Sequence, residues 1–163
     1  MGLTDDDIEH LARCVELARE ALDSGDEPFG SLLVDAGGHT LFEDRNRVKD
    51  GLHDGDATRH PEFAIARWAA ENIAPVRRVR CTVYTSGEHC PMCSAAHAWV
   101  GLGRIVYATS TAQLSQWRAE WGAPPSPVAA LPIGVVAPRV PADGPAPQFE
   151  AEMKALYERR FRP

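Results

Sequence analysis

Apolar positions recur at helical spacing between residues 4 and 24, where Ile8, Leu11, Val15, Ala18 and Leu22 would share one face. Thr4 stands at the N-cap position, and Asp5, Asp6 and Asp7 fill the first turn, where the helix dipole favours anions. Ser24-Gly25 marks the end. The pattern then changes. "GSLLVDAGGHTLFEDRN" reads as a hairpin, two β-rich runs flanking Gly37-Gly38 as a two-residue turn. Residues 47–59 are polar and read as a long loop, a class that is often functional. "HPEFAIARWAAENIA" is a helix stopped before Pro75. "VRCTVYTS" and "RIVYATS" are strands, and "PMCSAAHAWVGLG" between them is a short helix ending in glycines. The order α-β-β-α-β-α-β predicts an α/β sandwich whose later strands run parallel through crossovers.

After Trp121 the pattern breaks. Eight of the 13 prolines fall between Pro124 and Pro147, so this segment reads as an extended arm rather than a regular helix or a central strand. Residues 149–161, "FEAEMKALYERRF", close the chain as a short helix.

A chain of 163 residues can bury one core, and 44% hydrophobic with 25% charged residues is ordinary for a soluble domain. No apolar run reaches the ~18 residues of a membrane span. The start "MGLTDDDIEH" has neither a basic region nor an apolar one, so a cytoplasmic protein is expected. A net charge of -6 argues against a broad nucleic-acid footprint. The basic end "KALYERRFRP" reads as a helix C-terminus complementing its dipole. Four cysteines in such a chain are more readily metal ligands or redox groups than disulfides. Cys14 and Cys81 read as buried fillers. His10, His39 and His53 read as solvated, and Trp68 and Trp99 as core.

The chemistry concentrates in two places. Pro91 suits a first helical position, which puts Cys90 at the N-cap and Cys93 one turn in. A helix N-terminus favours a thiolate, the form that binds metal. His60 precedes Pro61 in the same way, with Glu62 just inside that helix. Facing one another, His60, Cys90 and Cys93 would supply three zinc ligands and leave a fourth position for water, as catalytic sites do. Zinc lowers that water's pKa toward ~7, and Glu62 is placed to take its proton. Two other readings stand. Cys90 and Cys93 alone would serve a redox pair. His97, four residues after Cys93, would close a structural site in a non-enzymatic zinc-binding module.

"HPE" followed by "HCPMC" resembles the H-x-E and P-C-x-x-C signature of zinc nucleobase deaminases of the cytidine/deoxycytidylate type. "EPFGSLLV", "DRNRV" and "DATRHPEFAIARWA" resemble further parts of that family's core. The resemblance implies a three-layer α/β/α sandwich with a mixed sheet of about five strands. It implies a deaminase core over residues 1–122. Residues 123–163 would form an arm and helix that cap the site of a partner in a homodimer. It implies one Zn2+ per chain on His60, Cys90 and Cys93, with Glu62 as the proton shuttle. Asn46 and Phe29 would contact the substrate. His89, which stands where the family usually has proline, and Trp121, with Trp117, would face the planar ring. Glu120 would be a second carboxylate for proton transfer. "HPE" also departs from the usual "HAE", without removing a ligand. The "PFG" strand, the "GEHCPMC" form and the tail look closer to bacterial guanine deaminases and relatives acting on s-triazines such as ammeline and 5-azacytosine. Deaminases of tRNA adenosine or of cytosine and cytidine are the alternatives. The segment that helps the tRNA branch hold its RNA loop has no counterpart here. The implied partner is therefore a small molecule, with no nucleic acid and no membrane.

Overall fold

Thr4 Oγ1 accepts the Asp7 amide at 3.1 Å and the Asp7 carboxylate accepts the Thr4 amide at 3.0 Å, a capping box that starts α1 (Asp5–Asp23). The computed structural model describes residues 2–163. After α1 come β1 (Gly30–Val34), β2 (Thr40–Arg45), α2 (Pro61–Asn72) and the single turn α3 (Pro75–Arg78). Next are β3 (Thr82–Gly87), α4 (Pro91–Val100), β4 (Ile105–Thr109) and α5 (Thr111–Glu120). The turn α6 (Ile133–Val136), β5 (Ala142–Asp143) and α7 (Glu150–Phe161) complete the order.

The strands form one sheet in the order β2-β1-β3-β4-β5. β1 runs antiparallel to both β2 and β3, while β3, β4 and β5 run parallel. Because both faces are covered, the inner strands are buried along nearly their whole length and alternate between two cores. Leu32, Val34, Tyr84, Val106 and Ala108 pack against α1 and α7. Leu33 and Val83 pack against Ile65, Ala66 and Ala69 of α2, with Trp68 and Val100 at the edge. The result is the expected α/β/α sandwich on a mixed sheet. Gly30 marks the closest approach of sheet and helix. A Cβ there would lie 2.4 Å from Leu17 Cβ and 2.5 Å from the Cys14 carbonyl oxygen.

One polar network crosses the α1 side. Asp7, 2% exposed, accepts the Tyr84 hydroxyl at 2.9 Å and Arg104 Nη1 and Nη2 at 2.8 and 3.0 Å. Arg104 Nε reaches Asp143 at 2.7 Å. The network thereby ties α1, β3, β4 and β5. Burial alone would raise the Asp7 carboxyl, but Arg104, the Thr4 amide and Tyr84 together hold it down at about 2.

Several expectations are corrected. The β1–β2 connection is five residues, not two. Asp35 accepts the Gly37 and His39 amides at 2.9 Å each, and the single positive-φ position of that loop is Gly38. The loop at 47–59 contains a helical turn at Val48–Asp50. α5 has too weak a periodicity to announce itself in the sequence. The arm is not wholly extended: α6 interrupts it, and β5 joins the sheet at its edge, where Ile105 N donates to the Pro141 carbonyl at 2.9 Å. An edge is where a proline-flanked strand can sit. Trp99 is 87% exposed rather than core, because α4 turns that position away from the sheet. His10 lies stacked on Tyr84 at 4.6 Å rather than free in solvent.

Three stability measurements check this picture. Asp7→Ala leaves Tyr84 and Arg104 unpaired and should cost about 3 kcal/mol in urea unfolding. A carboxyl held low when folded stabilises the fold above its unfolded pKa of ~3.9. About 2 kcal/mol should therefore disappear as the pH falls from ~4 toward ~2, and Asp7→Asn should flatten that fall. Gly30→Ala should cost about 1–3 kcal/mol, because neither α1 backbone nor Leu17 can yield freely.

Candidate active site

α2 and α4 both begin at the same edge of the sheet, and each begins with proline at its first position. His60 is the N-cap of α2 and Cys90 the N-cap of α4, with Cys93 in the first turn of α4. His60 Nδ1 lies 3.6 Å from the sulfur of Cys90 and 3.6 Å from that of Cys93. Tetrahedral zinc with Zn–S of ~2.3 Å and Zn–N of ~2.05 Å requires an S···N edge of about 3.6 Å. Two sulfurs and one imidazole at this spacing fit zinc, and among the described residues they are the one such group of ligating side chains.

The protonation of the cluster follows from its contacts. A hydrogen bond from Cys93, with help from His60 and against the effect of burial, pulls the Cys90 thiol down to about 4. Cys93 moves the other way, since it donates to Cys90 and is buried. Burial works against a charged His60, but Cys90 and the charge of Glu62 raise it to about 9. Cys93 and His60 therefore give up protons on metal binding.

Glu62 is 5% exposed, and burial pushes its carboxyl upward. Its Oε1 lies 3.0 Å from Thr85 Oγ1, and Oε2 lies 3.7 Å from Cys93 Sγ. Thr85 in turn accepts the Ser31 hydroxyl at 2.9 Å. Thr85 and Ser31 occupy the α2-facing side of β3 and β1, so a polar pair interrupts an apolar face directly under the carboxylate.

A cavity of ≈ 180 Å³ opens above the cluster, with His60, Glu62 and Cys90 in its wall beside Phe29. Asn46 lies next to Phe29, donating its amide to the Phe29 carbonyl at 2.9 Å. Its Oδ1 accepts the Val48 amide, while Nδ2 is buried without a partner. Asn46 itself is not in the cavity lining, and four further expected residues lie away from it. His89 is fully buried against His97, ring centroids 5.4 Å apart, and does not line the cavity. Trp117 packs on Tyr157, and Trp121 lies against the α1–α7 core. Glu120 is exposed and pairs with Gln116 and Lys154. For Glu120 the reason is helical phase: Leu114, Ser115 and Arg118 point α5 at the cavity and Glu120 lies on the opposite side, while Trp121 is the C-cap at the end of the helix. His97 Nε2 is taken by the Gly103 carbonyl at 2.7 Å, so it does not close the metal site. A plain redox pair would leave His60 unexplained.

The sequence reading missed Thr85, Glu88, Arg118 and Tyr157. The Tyr157 hydroxyl meets Thr109 Oγ1 at 3.0 Å, and Thr109 donates to the Ser86 carbonyl at 2.8 Å, which docks α7 at the cavity edge. The arm and α7 line the cavity of their own chain through Ser126, Val128, Ala129, Ala130, Tyr157 and Phe161. Among the described residues, no helix is long and apolar enough to cross a membrane.

Residues 4–109 match the cytidine and deoxycytidylate deaminase zinc-binding region. A probable cytosine deaminase of Schizosaccharomyces pombe is 35% identical over 69% of this chain and 65% of its own. The guanine deaminase of Bacillus subtilis is 34% identical over 60% of this chain and 61% of its own, and a tRNA-specific adenosine deaminase of Haemophilus influenzae 31% identical over 64% and 58%. The chain thus spans less than two thirds of the length of these relatives. The solved guanine deaminase of Nitrosomonas europaea superposes with a TM-score of 0.71 over 98% of this chain and 86% of its own, at 19% identity, a likeness of fold. The matched region contains β1 to β4, the three-ligand cluster and Glu62, and the chain belongs to the cytidine and deoxycytidylate deaminase family of zinc-binding enzymes.

Proposed function

We propose that the protein hydrolyses the exocyclic amino group of a free heterocycle, guanine or an s-triazine such as ammeline or 5-azacytosine. Water enters, the ring gains an oxygen, and ammonia leaves. The observation that carries this reading is Glu62 beside the three-ligand cluster in the wall of a small cavity. At ≈ 180 Å³ the cavity lies below the ~300–1,000 Å³ that hold drug-sized ligands, so it suits one planar ring system without a sugar. The acidic net charge of -6 also weighs against a polynucleotide.

Zinc, when bound, brings a coordinated water's pKa toward ~7. The chain's own residues do the rest. Glu62 takes the proton of the attacking water, holds it at a carboxyl oxygen, delivers it to a ring nitrogen, and relays a second proton to the departing amine. Thr85 fixes Oε1, which leaves Oε2 for the transfer. Desolvation raises the carboxyl, as a group that must hold a proton near neutral pH requires. Asn46 Nδ2, buried and unpartnered, donates to a ring oxygen or nitrogen, which satisfies an otherwise costly group. Phe29 gives the ring an apolar wall.

We also read the protein as a cytoplasmic homodimer. Two thiol ligands suit a reducing compartment. Trp99 is 87% exposed, and a subunit contact would cover so large an apolar side chain.

The test is ammonia release from guanine, ammeline, 5-azacytosine, cytosine, adenine, cytidine and a tRNA anticodon hairpin. Turnover confined to free bases is expected, and turnover of the hairpin alone would move the protein to the tRNA branch. Glu62→Gln should lose about 10²–10⁴-fold in kcat while keeping its zinc. Cys93→Ala should lose both zinc, measured by elemental analysis, and activity. Light scattering should report a dimer that Trp99→Ser shifts toward monomer, with stability within about 0.5 kcal/mol of the parent.

A further inference from the structure

The outer wall of the cavity is a stretch of chain with little to hold it in place. Residues 124–132 are exposed, and four of the nine are proline. Proline has no amide to donate, so this stretch cannot be knitted to its surroundings by a backbone ladder. Inside it, Val128 N reaches Ser126 Oγ at 3.2 Å and Leu131 N reaches the Ala129 carbonyl at 2.9 Å, both local. Yet Ser126, Val128, Ala129 and Ala130 line the cavity.

Its two ends are pinned by side chains. At the first, Arg118 Nη2 donates to the Pro124 carbonyl at 2.7 Å, and the guanidinium lies over the Phe161 ring at 4.8 Å. At the second, the Ile133 amide donates to Glu88 Oε1 at 2.8 Å, with the Ile133 side chain 1% exposed. The other oxygen of Glu88 accepts the Thr111 amide, the first of α5, at 2.8 Å. Glu88 thus fastens the strap and the start of α5 to the segment that carries Cys90. Both pins also line the cavity. A proline-rich stretch is semi-rigid, so releasing one end swings it rather than crumpling it.

We propose that Glu88 and Arg118 are positioning residues that hold residues 124–133 as the outer wall, and that this wall limits the substrate to a free heterocycle and refuses one carrying a sugar. The size limit rests on the free-base reading above; the pins do not.

The test uses the full zinc-loaded chain, Glu88→Gln and Arg118→Ala. The substituted carboxamide keeps one acceptor oxygen but faces the second backbone amide with a donor. Arg118→Ala repeats the test from the far end, away from the metal ligands, should Glu88→Gln disturb them. Hydrogen exchange should quicken at the Ile133 and Thr111 amides in Glu88→Gln and stay unchanged in α2. Elastase should cut after Ala129 or Ala130 faster in both variants. For the best free base, KM should rise about tenfold, with the loss falling mainly on KM, and the preference for base over its nucleoside should shrink about tenfold. Unchanged exchange and cleavage would overturn the pins. Loosened pins with an unchanged preference would overturn the size limit. If the parent turns over no free base, the free-base reading and the size limit fail together, while exchange and cleavage still decide the pins.

Discussion

The structure depends on two helix N-termini meeting at one edge of one sheet. α2 and α4 each enter through an X-Pro step, which fixes the residue before proline as an extended N-cap and aims it out of the helix. His60 and Cys90 are those two residues. The parallel pairing of β3 with β4 requires a crossover, and α4 is that crossover, so its start must lie at the C-terminal end of β3. α2 packs on α4 across the same face, which brings its own start alongside. Ligands placed in this way cost no loop ordering, because both helices are held by the same core on one face of the sheet.

The electrostatics follow from that convergence. A buried carboxylate, two sulfurs and an imidazole within one site would be untenable as free charges in a low-dielectric region. The chain distributes the burden. Cys90 takes the negative charge, supported by a helix N-terminus, by Cys93 and by His60. Glu62 is pushed toward its neutral form by burial, with Thr85 and Ser31 supplying the polar support that an apolar strand face would lack. A dication suits the cluster because it replaces shared protons with ligand bonds.

This division explains what could be read from residues in order. The N-cap at Thr4, the X-Pro helix starts and the Cys90–Cys93 spacing are local signals, and the helices and metal ligands they mark stand where expected. His60 and Cys90 are thirty residues apart, and only a family pattern joins them on paper. Tertiary choices were not legible. Nothing local says that Trp99 faces outward while Trp117 faces in, since both lie on short helices with weak amphipathicity. Proton transfer at Glu120 rests only on the second carboxylate that the family resemblance implies, yet the phase of α5 sends Arg118 to the cavity instead. Glu88 sits inside the best motif of the chain. Its role escaped because its partners, Thr111 and Ile133, are 23 and 45 residues away and are backbone amides without a residue-type signature.

The boundary of the shared family region carries a last consequence. It ends at Thr109, and it holds every ligand and Glu62. Most of the cavity wall lies beyond it, on α5, the strap and α7. Relatives named for a pyrimidine, a purine and a transfer RNA share 31–35% identity with this chain over 60–69% of it. The metal-ligating cluster and Glu62 therefore sit on one part of the chain, and most of the cavity wall on the other. In this chain the second half begins with a carboxylate from the first, Glu88, reaching across to hold it. On the proposal above, a change of substrate would leave the metal ligands as they are and need a different strap, or the same strap held at a different place.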